Sequence, residues 1–84
     1  MAMGKAIAIR LKEPLPLFQK VGAEILRLRK EEALTQGALA QKIGVTQQEI
    51  SRVEKGDNCS LSTLHRIARA LEHDIEILFK EKKS

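Results

Sequence analysis

Tryptophan and tyrosine are absent from this 84-residue chain, and phenylalanine occurs only at Phe18 and Phe79. Proteins that hold RNA or single strands lay bases on aromatic rings, so this scarcity argues against a stacking platform. Cysteine is reduced to Cys59, which rules out an internal disulfide and fits a reducing compartment. No apolar run is long enough to cross a bilayer and no signal peptide is visible, so the cytoplasm is the expected location. His65 and His73 have no cysteine or carboxylate at metal-ligand spacing; no metal site is expected, and both imidazoles are read as surface groups. The carboxylates are accounted for by helical surfaces and caps, and no phosphate-cradling glycine loop or nucleophile arrangement is present. An enzyme is therefore not expected, nor is a cofactor. A chain of this length has little room for a separate ligand module, so no small-molecule ligand is expected either.

What the chain does have is positive charge and periodicity. A net charge of +4 suits a polyanionic partner, although charge alone carries little weight. Ile7, Ile9 and Leu11 alternate with Ala8, Arg10 and Lys12, the period of a half-buried strand over 6–12, which Pro14 and Pro16 then break. From Leu17 to about Glu32 the period becomes helical, with Val21, Ile25, Leu28 and then Leu34 on one face. Thr35 is a good N-cap for a second helix over Gln36 to Ile43, which Gly37 weakens. Thr46 and Glu49 form a capping box opening a third helix that runs to about Lys55, closed by Gly56. Ser60 or Ser62 caps a fourth, with Leu61, Leu64, Ile67, Ala68 and Leu71 as its apolar stripe. Ile75, Ile77 and Phe79 alternate again; a strand within 75–80 is favoured over a helical turn. The two terminal strands can pair with each other or across a dimer, and Glu81 to Ser84 reads as disordered.

Within that pattern, TQGALAQKIGVTQQEISRVEKG (35–56) has the spacing of a DNA-binding helix-turn-helix. Ala40 must be small where the second helix is crossed, and Gly44 tolerates positive φ where it ends. Ile50 and Val53, three apart, dock the third helix on the rest of the domain.

LRLRKEEALTQGALAQKIGVTQQEISRVEKG resembles the first three helices of the lambdoid phage repressor and Cro group, the XRE family, over roughly Val21 to Leu71. The resemblance implies a mainly α fold: a lambda-repressor-like bundle of four to five helices in one domain, 1–84, with its core over 17–72 and short terminal β-strands at 6–12 and 75–80. A strand in place of the fifth helix is similar to the antitoxin branch of HipB and HigA regulators. It further implies that the third helix enters the major groove with Gln47, Gln48 and Ser51 at the base edges. Arg52 stands where a phage repressor has a third glutamine, and can take a guanine or a phosphate. Gln36, Thr46, Lys55 and Asn58 match phosphate-positioning residues. Arg29 and Glu54 match an ion pair tying the first helix to the third. Two departures stand out: Ala33 where a glycine usually ends the first helix, and Cys59 where proline is common before the fourth.

The implied function is a sequence-specific double-stranded DNA-binding regulator, a homodimeric repressor on a roughly palindromic operator, and within that branch an antitoxin with a toxin protein as partner. The alternative is a protein-interaction module that keeps the bundle without binding DNA. Arg10, Lys12, Lys80, Lys82 and Lys83 are read as solvated charges rather than a DNA arm. Cys59, without a resolving cysteine, is read as inert.

Overall fold

The computed structural model describes residues 5–10 and 17–79, with side chains from Leu17 onward. The described elements, in chain order, are β1 (Lys5–Arg10), α1 (Leu17–Glu31), α2 (Gln36–Ile43), α3 (Gln47–Glu54), α4 (Leu61–Ala70) and β2 (His73–Leu78). Expected positions 11, 12 and 80 of the strands and the tail 81–84 lie outside the described residues, whereas Phe79, expected to alternate with Ile75 and Ile77, lies one residue past the end of β2 and is 83% exposed.

Each of the three later helices starts at a hydroxyl cap. Thr35 Oγ1 accepts from the Ala38 amide at 2.9 Å, Thr46 Oγ1 from Glu49 at 3.1 Å and Ser60 Oγ from Thr63 at 3.0 Å. Every cap has extended backbone, as an N-cap requires. Ser60, not Ser62, therefore begins α4. The capping box of α3 is only half formed. Thr46 serves Glu49, but the Glu49 carboxylate makes no return bond and stays exposed.

The helices close around Ile25, Leu39, Ile50, Ile67 and Leu71, the largest side chains fully removed from water. Val21, Leu28, Ile43, Val53 and Leu64 complete the core, while Leu34 and Val45 pack against it half-buried. Burial of such side chains supplies on the order of 1.5–3 kcal/mol each before chain entropy is charged against it. Leu61 is a correction: it is 64% exposed. As the first helical residue after Ser60 it leans back over the preceding turn, beyond the edge of the core.

β1 and β2 pair with each other in parallel, from Lys5 opposite His73 to Arg10 opposite Leu78. Parallel strands cannot be joined by a hairpin, so the helical unit forms the crossover between them. A two-stranded sheet is not stable alone. Here Ile75 and Ile77 pack half-buried against the core while Asp74 and Glu76 face out. His73 is a second correction, since it is 9% exposed rather than a surface residue. It lies in phase with Ile75 and Ile77 on the inner face. Its Nδ1 donates to the Leu71 carbonyl at 2.6 Å, which satisfies the ring on its buried side.

Candidate nucleic-acid interface

The turn between α2 and α3 is set by Gly44, which sits at φ +75 in the left-handed region and ends α2. Its amide donates to Gln41 O, and that of Val45 to Ala40 O at 3.0 Å, so Val45 folds inward before Thr46 caps α3. Arg66 of α4 donates to the Ile43 carbonyl and satisfies one orphan acceptor at the C-terminus of α2. These contacts fix the angle at which α3 leaves the bundle.

The C-terminal end of α3 is anchored on α1. Gly22 lies where α1 crosses α3: a β-carbon there would overlap the Val53 carbonyl and stand 2.8 Å from that of Glu54. Gly56, at φ +103, ends α3 against Gln19, and a β-carbon there would come within 2.7 Å of Gln19 Cγ. Gln19, Gly22 and Arg29 share one face of α1, being three and seven residues apart. The Arg29 guanidinium reaches Glu54 through Nε at 2.6 Å and Nη2 at 3.1 Å, and donates through Nη1 to the Leu34 carbonyl at 2.8 Å. Both side chains are almost wholly removed from water, at 10% and 4% exposure. A bidentate pair of this kind is favourable where its remaining donors also find acceptors. Gln36 Nε2 donates to Glu54 Oε1 at 2.9 Å, so α1, the α1–α2 loop, α2 and α3 meet in one network.

The N-terminal turn of α3 is different. Gln47 and Gln48 are exposed, Ser51 is half-buried, and none of the three makes a side-chain hydrogen bond among the described residues. Gln36, Thr46, Gln47, Gln48 and Ser51 line one shallow concavity. Arg52 and Asn58 line a second groove with Glu49, Ser60 and Thr63. Lys55 caps the C-terminal end of α3 and is exposed. The free amides of the first turns of α2 and α3 have no intrahelical acceptor and add a partial positive charge beside the concavity. Cys59, in the second groove, has its thiol pushed up by burial, which disfavours the thiolate.

Gly22 and the Gln36–Glu54 bond are absent from the sequence reading. An isolated glycine inside the strong helical pattern of α1 was the available signal for the close crossing. Nothing in the sequence orients the Gln36 amide.

Two short helices joined at a glycine turn, the second anchored at its end and bare at its start, define a helix-turn-helix. The chain belongs to the helix-turn-helix family, whose model matches residues 25–78, and is a DNA-binding transcriptional regulator. It is similar to an uncharacterized HTH-type transcriptional regulator of Methanothermobacter thermautotrophicus, 56% identical over 54 residues covering 61% of this chain and 77% of the relative. Two solved structures share the fold. One is the restriction-modification controller protein C.Esp1396I, a tetramer on its natural 35 base-pair operator: 31% identity, TM-score 0.63, 68% of this chain and 76% of that one. The other is a chain of the HipA-HipB-O2-O3 complex: 28% identity, TM-score 0.63, 84% of this chain and 99% of that one.

Proposed function

We propose that this protein reads a specific duplex sequence with the first turn of α3 and acts as a homodimeric repressor. The observation that carries the reading is the pair Gln47 and Gln48, exposed and without a side-chain hydrogen bond among the described residues, on a helix whose far end is tied down. Gln47 offers the bidentate amide that matches adenine N6 and N7, Gln48 donates or accepts as its amide turns, and Ser51 lies one turn on. Arg52, from the second groove, takes a guanine or a phosphate. Gln36, Thr46, Lys55 and Asn58 set the register on the backbone, Gln36 through its amide N–H since its side chain already serves Glu54. Arg29 and Glu54 hold α3 rather than touch DNA.

One α3 spans too few base pairs for operator selectivity, and a dimer places two about one helical turn apart, roughly 34 Å. Six to eight neutralised phosphates per dimer give a slope of log affinity against log salt of about −5 to −7. Fluorescence anisotropy on a duplex selected from random sequence, titrated across salt, measures that slope; a salt-independent association contradicts the proposal. The likeness to nearly the whole of a chain from the HipA-HipB-O2-O3 complex favours a second role as an antitoxin that also binds a toxin protein in the cytoplasm. Co-purification with the product of a neighbouring reading frame tests it, and a genomic neighbourhood of phage genes counts against it.

A further inference from the structure

Four glycines fall among the residues with described side-chain surroundings, and three are explained by the backbone. Gly22 makes the crossing of α1 with α3, and Gly44 and Gly56 hold left-handed φ at helix ends. Gly37 does neither. It is the second residue of α2, an eight-residue helix, and its φ is not positive. Glycine there weakens the helix relative to alanine, so the fold alone gives no reason for it. The three atoms nearest to where a β-carbon would stand are all side-chain atoms: Gln47 Oε1 at 3.3 Å, Gln47 Cδ at 3.9 Å and Thr35 Oγ1 at 3.9 Å. What glycine leaves room for is the carboxamide of Gln47.

We infer that Gly37 is a specificity-determining position: its missing side chain forms the seat on which the Gln47 carboxamide lies across the start of α2 beside Gln36. The inference rests on the reading of Gln47 as a base-contacting residue. Gln36 is itself held through Nε2 by Glu54, so α2 contributes one fixed amide and one vacancy to the concavity. A glutamine side chain that must be ordered to make a bidentate contact loses rotamer freedom on binding. A seat that restricts its rotamers beforehand reduces that loss. A methyl group at position 37 must push the carboxamide away by a few tenths of an ångström or turn it, and a bidentate contact is sensitive to such a shift. Gly37 is a positioning residue, since it acts through Gln47.

The experiment is a double-variant cycle on the full chain, using the duplex selected by the wild-type protein and its single-base-pair substitutions. Gly37→Ala is expected to raise Tm by roughly 3–6 °C through helix propensity. It is also expected to weaken operator binding about three- to tenfold, with the loss concentrated at the base pair whose discrimination Gln47→Ala abolishes. In a Gln47→Ala background the effect of Gly37→Ala on binding should shrink to less than about twofold, because the group it displaces is gone. An equal loss in both backgrounds, spread evenly over all duplexes, would mean that position 37 meets a phosphate instead, and overturns the seat. No change in binding by Gly37→Ala overturns it as well. If Gln47→Ala itself leaves affinity and preference unchanged, the base-contact reading of Gln47 fails, and the seat with it.

Discussion

The C-terminal end of α3 is held by Gly22, Gly56 and the Arg29–Glu54–Gln36 network, whereas its first turn carries Gln47 and Gln48 exposed and without a side-chain hydrogen bond among the described residues. The two ends are separated by only two turns of helix, yet they obey opposite requirements. A helix that must present side chains to another molecule in a fixed direction needs its own axis fixed, and that costs buried interactions. The presenting side chains must remain uncommitted, because any bond they make within the protein has to be broken on binding. Placing the constraint at one end and the vacancy at the other meets both conditions in eight residues. Stability and readout should therefore respond to different substitutions.

The largest effect is expected at the ion pair. Arg29→Leu leaves the Glu54 carboxylate buried without its bidentate partner and should cost about 3–5 kcal/mol of stability in urea unfolding. Arg29→Leu with Glu54→Leu should cost clearly less than the single change, since no lone charge remains. A double variant as unstable as the sum of the two singles would mean that packing, not charge, dominates there. Next comes Gly22→Ala, which forces α1 and α3 apart. A loss of about 2–3 kcal/mol in thermal unfolding is expected, with weaker DNA binding through misplacement of α3. Full retention of stability would show that the crossing can relax.

At the other end, Gln47→Ala and Gln48→Ala should each remove about 1–3 kcal/mol of operator binding while shifting folding stability by less than about 0.5 kcal/mol. The smallest effect lies off α3. Ala33 ends α1 at φ +56, a conformation that costs an alanine roughly 1 kcal/mol. Ala33→Gly should raise stability by up to about that amount with no change in DNA affinity. Differential scanning calorimetry decides it, and a lower Tm would count against strain at that residue.

Much of this fold was legible because local chemistry marks it. Thr35, Thr46, Gly44 and Gly56 declare where helices start and stop, and the spacing of Ile50 and Val53 declares which side of α3 faces inward. The errors arose where burial depends on position in space. Leu61 has the phase of the α4 stripe but lies in its first turn, where the described residues leave it exposed. His73 has a side chain usually found at surfaces, but its phase with Ile75 and Ile77 puts it inside. The parallel pairing of β1 with β2 joins opposite ends of the chain, and no local signal selects it over pairing with a second copy. In the candidate site, the exposed glutamines follow from helical phase. The Gly37 seat and the Gln36–Glu54 bond come only from the way α2 lies against α3.

The central claim is that the first turn of α3 reads bases while the rest of the helix-turn-helix holds it in place. Selection of binding sites from random duplexes, carried out in parallel with the wild-type protein and with Gln47→Ala, Gln48→Ala, tests it most directly. The account predicts a defined half-site for the wild type, and for the variant a loss of preference at the base pairs facing those glutamines, with Tm and salt slope unchanged. Recovery of the same half-site by the double variant, at the same affinity, would contradict it.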